Sequence, residues 1–178
     1  IEQAKEMAEE GVKELILVAQ ETTVYGTDIY GKKSLHVLLK ELCKIKGIRW
    51  IRVLYCYPEE IYDELIQTMK EEKKICHYLD LPIQHASDRI LKRMGRRTTQ
   101  AELVEIVNKL RQEIPDIVLR TTLISGFPGE TQEDHEELMG FVDEMEFDRL
   151  GVFTYSAEED TPAATMPDQV SEEVKEER

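Results

Sequence analysis

The chain has 178 residues, a formal net charge of −14, and 41% hydrophobic against 34% charged residues. That balance predicts one globular domain with a core of its own and excludes a disordered chain. No stretch nears the roughly 20 apolar residues of a membrane helix, no basic-then-apolar leader opens the chain, and an acidic surface suits a basic protein partner better than nucleic-acid phosphates.

In chain order, the pattern alternates. Residues 1–10 read as a helix, and Glu14-Leu15-Ile16-Leu17-Val18-Ala19 is an apolar run of strand length. Leu35, Leu38, Leu39, Leu42 and Ile45 form a helical stripe over 34–45. Residues 50–54 read as a strand. Pro58, followed by Glu59 and Glu60, opens a predicted helix whose apolar face is Ile61, Leu65, Ile66 and Met69. A weaker strand is predicted at 78–81 and a short helix at 88–94. Thr99 and Glu102 have capping-box spacing ahead of Leu103, Ile106, Val107, Leu110 and Ile114. A β-branched strand is predicted at 117–124, a helix from Thr131 with Leu138, Phe141, Val142 and Met145 inward, and a last strand at 150–155. From Ala157 the chain turns acidic and loses periodicity, as a linker or a frayed helix start does. The predicted organisation is a core over 1–156 and an acidic connection over 157–178.

Strands alternating with helices imply an α/β fold with a mostly parallel sheet and right-handed crossovers. Such a chain closes as a barrel, opens as a doubly wound sheet, or forms part of a barrel. The three cysteines, Cys43, Cys56 and Cys76, make no C-x-x-C and no metal-ligand spacing. They read as small buried hydrophobes in a reducing, cytosolic compartment. The chain begins at Ile1 rather than Met, as expected of a portion of a longer protein.

In parallel α/β folds the chemistry sits beyond the carboxyl ends of the strands. Those positions hold residues 20–26, 55–57, 82–88, 125–130 and Ser156, which mix amide, hydroxyl, aromatic and glycine groups. Gly126 and Gly129 allow either close backbone approach to a ligand or a tight turn into the next helix. The spacing is neither a P-loop nor a G-x-G-x-x-G. Gln84, Ser87 and Asp88 offer groups for a ribose or an amino-acid moiety, or caps for the adjoining helix. His85 is an acid–base candidate or a hydrogen-bonded surface group, and His36, His77 and His135 have no evident partner. Arg120, among apolar neighbours, needs a carboxylate from the protein or from a ligand. No nucleophile elbow, carboxylate pair or metal cluster is present, so any demanding chemistry would come from a cofactor.

Three of these blocks, 17–26, 81–94 and 119–131, resemble the radical S-adenosylmethionine (SAM) methylthiotransferases, in order and over nearly the whole chain. Ala19-Gln20-Glu21-Thr22-Thr23-Val24-Tyr25-Gly26 and Gln84-His85-Ala86-Ser87-Asp88 are most similar to the branch that modifies an aspartate of a ribosomal protein. The tRNA branch, kept as the alternative, shows an Asn-rich first block and Ser-Gly in place of His85-Ala86. Glu21 departs from the Asp usual at its position. A plain α/β domain that binds a nucleotide or a protein partner without radical chemistry is the alternative from another class.

The resemblance implies a partial (β/α)6 TIM-like barrel of the radical SAM type. It implies SAM and two 4Fe-4S clusters whose ligands lie outside this chain, an electron donor, and hydrogen abstraction from the β-carbon of an aspartate of small-subunit ribosomal protein twelve, which then receives a methylthio group. The cluster motif, an amino-terminal domain and a β-rich carboxyl-terminal domain would flank this piece, which alone would be inactive. The implied location is cytoplasmic. By position, the implied SAM contacts are Gln20, Gln84, Ser87, Arg120, Ile124, Gly126, Phe153 and Tyr155, with no metal ligand and no assigned catalytic residue among them.

Overall fold

The computed structural model describes all 178 residues. Helix α1 (Glu2–Glu9) leads into strand β1 (Glu14–Leu17), and the short α2 (Thr27–Tyr30) and α3 (Leu35–Cys43) return to β2 (Trp50–Val53). A 3-10 turn (Pro58–Glu60) and α4 (Asp63–Glu71) precede β3 (Ile75–Asp80). Helices α5 (Asp88–Arg93) and α6 (Gln100–Glu113) precede β4 (Val118–Ser125), and α7 (Gln132–Met145) precedes β5 (Arg149–Thr154). A 3-10 turn (Pro162–Thr165) and α8 (Glu172–Glu177) end the chain.

The five strands are parallel and lie in the order β1-β2-β3-β4-β5. A doubly wound sheet reverses its strand order at a switch point; this sheet does not reverse. Sequential order with right-handed crossovers puts the crossover helices on one face. The sheet is therefore a run of barrel staves: a partial α/β barrel, its outer face covered and its inner face open.

Side-chain alternation divides the residues accordingly. Leu15, Ile51, Val53, Leu79, Leu119 and Leu123 point outward and are buried with Leu35 and Leu39 of α3, Leu65 and Met69 of α4, and Leu103 and Leu110 of α6. Ile16, Arg52, Tyr78, Arg120, Thr122, Ile124 and Phe153 face the open side. Ile16, Trp50 and Phe153 on that face are 53, 50 and 60% exposed, because nothing in the chain packs over them.

Two elements differ from the sequence expectation. The helix predicted from Pro58 starts at Asp63, because Ile61 and Tyr62 are extended. Lys33 binds both the Glu60 carbonyl and its carboxylate, and the Tyr62 hydroxyl contacts His36, so the chain is pulled out of helical register there. Strand β3 begins three residues before the predicted 78, because its open-side residue Cys76 and the adjacent His77 interrupt the apolar pattern. The segment 157–178, read as a linker or a frayed helix start, forms the 3-10 turn and the short α8 and returns to the carboxyl ends of the strands, where Lys175 is buried.

Candidate functional site

The polar blocks gather where expected, at the carboxyl ends of the strands, and backbone pairing holds them there. After β3 the chain continues alongside β4: the Leu81 amide donates to the Arg120 carbonyl, the Gln84 amide to Thr122, and the Ile124 amide to the Gln84 carbonyl. Thr121 Oγ1 donates to the Leu81 carbonyl at 2.8 Å, and Arg96, stacked over the Tyr57 ring, holds the Pro82 carbonyl. This loop fixes Gln84 at φ +71°, a left-handed conformation costly for a residue with a side chain. Gln84 Oε1 is buried with no partner. Strain together with an unpaired acceptor makes Gln84 a candidate position for a ligand contact.

The first loop is tied to the second by Glu21. Its carboxylate accepts from the Thr23 amide at 2.9 Å and from the Tyr57 amide at 2.8 Å. Burial raises its pKa, the two amides work against that, and Glu60 and Glu59 add to the rise. Gln20, beside it, is exposed and makes no hydrogen bond to the other predicted residues. Cys56 is fully buried, and burial pushes its thiol far up, so it is not a nucleophile.

Arg120 finds its carboxylate within the protein: Nη1 donates to Asp80 Oδ1 at 2.5 Å, directly across the β3–β4 register. Asp80 is buried, and the Arg120 side chain keeps about a third of its surface exposed. Phe153 stands beside Ile124 in the β4–β5 register. Arg120, Ile124 and Phe153 lie on the open face, Arg120 about 13 Å along β4 before Ile124, and Gln84 pairs in register with Leu123 beside them. Ser87 and Tyr155 stand behind that face. The Ser87 hydroxyl donates to Asp134 at 2.7 Å, and the Tyr155 ring packs edge-on against Phe127 with its centroid 5.4 Å away.

Gly126 has φ +75°, and its amide donates to the buried Glu130 carboxylate at 2.8 Å. Glu130 also pairs with Arg178 at 2.6 Å, with His85 Nε2 at 3.5 Å and His135 Nδ1 at 3.9 Å. Burial raises the Glu130 pKa, but His85, the Gly126 amide and Arg178 outweigh it and hold the carboxyl below its ordinary range. Burial pushes His135 down against the pull of Glu130. His85, one of whose readings was a surface group, is fully buried. Its Nδ1 accepts from the Ala86 and Ser87 amides, so the neutral ring carries its proton on Nε2, facing Glu130. The other two histidines have partners as well: His36 contacts Tyr62, and His77 contacts Asp116.

Sequence reasoning missed Asp80, Glu130, Asp134, Lys175 and Arg178. One signal was present: Lys175 and Arg178 are the only cations of an otherwise acidic tail. The three cysteines lie on separate elements, and no three His, Cys, Asp or Glu side chains converge. This chain's residues therefore do not fit an iron–sulfur cluster. The orphaned Gln84 acceptor and the part-exposed Arg120 side chain do fit the polar and carboxylate groups of an adenosyl ligand with an amino-acid tail. A cavity of about 460 Å³ between α4 and α6 is lined by Asp63, Glu64, Gln67, Lys109 and Glu113 with one apolar residue, Ile66. It is a polar surface groove, unlike the apolar sites that hold organic ligands. No helix is long and apolar enough to cross a membrane.

The chain is 70% identical over 175 residues to the ribosomal protein uS12 methylthiotransferase RimO of Lachnoclostridium phytofermentans, covering 98% of this chain and 40% of that protein. It is 62% identical over 178 residues to the protein of the same name from Clostridium perfringens, again covering 40% of the relative. The chain thus spans about 40% of the length of these curated relatives. Among solved structures, the Escherichia coli coproporphyrinogen III oxidase HemN, a radical SAM enzyme, superposes with a TM-score of 0.69 at 18% identity, over 97% of this chain and 41% of that one. The radical SAM methyltransferase TsrM of Kitasatospora setae superposes with a TM-score of 0.66 at 16% identity, over 86% of this chain and 29% of that one. At such identities these two likenesses speak for the fold alone. A model of the Radical SAM superfamily matches residues 1–142, and with four-fifths of its length inside that match the chain belongs to the radical SAM superfamily.

Proposed function

We propose that this chain is the later part of the central barrel of a methylthiotransferase that places a methylthio group on the β-carbon of an aspartate of ribosomal protein uS12. The observation that carries the reading is the 70% identity, over 98% of the chain, to a protein named for that activity. Residues 1–156 make up the partial core, and 157–178 form an acidic connection at its carboxyl end. The intact protein uses SAM and two 4Fe-4S clusters with an electron donor, and works in the cytoplasm.

SAM, when bound, supplies the adenosyl group that starts the reaction and the methyl group that is transferred. The chain's own residues bind and orient it. The Gln84 amide, held at its strained φ, offers its unpaired Oε1 to the ammonium or a ribose hydroxyl. Arg120, with its charge shared with Asp80, faces the methionyl carboxylate. The Ile124–Gly126 backbone flanks adenine, with Phe153 as an apolar wall beside Ile124. Gln20 at the end of β1 reaches the methionyl amino group. Ser87 and Tyr155 support these contacts from behind through Asp134 and Phe127. The formal charge of −14 favours encounter with a basic ribosomal protein.

The test of the substrate is the intact mass of uS12 purified from a strain lacking the parent gene and from its wild type. The expected result is the loss of one methylthio group in the deletion strain. An unchanged mass overturns the reading, and tRNA nucleoside analysis is then the next measurement. For the site, Gln84→Ala in the whole protein is expected to weaken SAM binding about tenfold, the cost of one hydrogen bond to a charged or strongly polar group. Unchanged affinity in calorimetry removes Gln84 from the site.

A further inference from the structure

The acidic tail carries two cations, and the fold buries both. Lys175 is 5% exposed. Its Nζ donates at 2.9 Å to the Tyr155 carbonyl, just past the end of β5, and lies over the Tyr155 ring. Its stem presses on Gly126, so closely that a Cβ built there would sit 2.3 Å from Lys175 Cγ. Arg178 Nη1 reaches the buried Glu130 carboxylate at 2.6 Å. That carboxylate also accepts from the Gly126 amide. The Tyr155 amide in turn donates to the Ser125 carbonyl. Two cations at the end of α8 therefore grip the ends of β4 and β5 through Glu130, Gly126 and Tyr155. A buried lysine and a buried arginine are costly to desolvate unless the partner positions repay them. A loose acidic connection would leave both in water.

We infer that α8 is a positioning element of the site: Lys175 and Arg178 hold the Gly126–Glu130 turn and the end of β5 in the conformation that receives the adenosyl group. This rests on the proposed binding of SAM at these strand ends. Neither side chain touches the ligand. Arg178 acts through Glu130, which orients the Gly126 amide, and Lys175 acts by packing under Gly126 and by fixing the Tyr155 carbonyl. A pull on the carboxyl end of α8 is then transmitted directly to the SAM loop.

The experiment compares wild type, Arg178→Met, Arg178→Lys and Lys175→Met in the whole protein that carries this chain. Hydrogen exchange of the Gly126 and Tyr155 amides is measured without SAM, with the amides of α3 as an internal control, and SAM affinity is measured by calorimetry. Arg178→Met is expected to speed Gly126 exchange about tenfold and weaken SAM binding by a similar factor, leaving α3 unchanged. Arg178→Lys, which keeps the charge but not the planar fork, is expected to restore part of both. If Arg178→Met does not fold, Lys175→Met gives the same two readouts at Tyr155 and Gly126. Unchanged exchange at both amides overturns the grip. Faster exchange with unchanged SAM affinity overturns the positioning role. A wild-type protein that binds no SAM overturns the functional reading and the positioning role with it, while the exchange data still report the grip.

Discussion

Gly126→Ala is expected to lower stability by about 3 kcal/mol and to weaken SAM binding at least ~tenfold. Two costs add. The residue sits at φ +75°, where a Cβ strains the backbone by roughly 1–2 kcal/mol. The new methyl would also stand 2.3 Å from Lys175 Cγ. That atom is near the root of a side chain whose far end is fixed to the Tyr155 carbonyl and which is almost wholly buried. Relief requires α8 to move, and overpacking of this kind costs about 1–3 kcal/mol. Gly129→Ala provides the control. Its φ is +85°, and its Cβ would meet the Arg93 guanidinium carbon at 2.7 Å. That group is the end of a flexible chain and can swing away, so only the backbone cost of about 1 kcal/mol remains. Urea unfolding of the two variants checks the difference. Equal losses at both glycines would show that Lys175 yields easily and that the packing under Gly126 is loose.

That contrast also indicates what the sequence could and could not disclose. Local signals were readable. Thr99 and Glu102 form the capping box their spacing predicts, and Thr131 caps α7 in the same way with Asp134 in the third position. The alternation of apolar runs and helical stripes located all five strands, because a strand buried under helices on one face needs little else to be specified. Resemblance added the family and the candidate SAM residues. Contacts made at a distance were not readable. Helix α8 has six residues, too few to be stable by itself. It is held by bonds to Tyr155, 20 residues back, and to Glu130, 48 residues back. No periodicity records such contacts. The same holds for Arg120: its need for a carboxylate was readable, but the choice of Asp80 depends on the β3–β4 register, which places the two side by side. The three cysteines show the opposite limit: all read as small buried hydrophobes, yet only Cys56 is buried, while Cys43 and Cys76 are half-buried at the surface of their elements.

Asp134→Asn is expected to cost about 3 kcal/mol at neutral pH, with a distinctive acid dependence. The side chain is 8% exposed. Its carboxylate accepts from the Ser87 hydroxyl at 2.7 Å, from the Thr131 amide and hydroxyl at 2.8 and 2.9 Å, and from Arg89. It also lies in the first turn of α7, where the helix favours negative charge. Burial by itself would raise the pKa, but these donors prevail and hold it at about 2, against an ordinary 3.8. A depressed carboxyl stabilises the fold fully above its unfolded pKa and loses that contribution as pH falls through the folded one. The stability gap between wild type and Asp134→Asn should therefore be constant above about pH 5 and narrow toward pH 2 by roughly 2 kcal/mol. A gap that stays constant into acid would mean that shape, not charge, is what the site requires. The same variant separates two roles for Ser87. As a strut, Ser87 depends on Asp134, so Asp134→Asn should weaken SAM binding more than Ser87→Ala, which leaves Asp134 with Thr131 and Arg89. As a direct ligand contact, Ser87→Ala would be the more damaging of the two. The Ser87 hydroxyl, donated inward rather than to the open face, favours the strut, and calorimetry on the pair decides it.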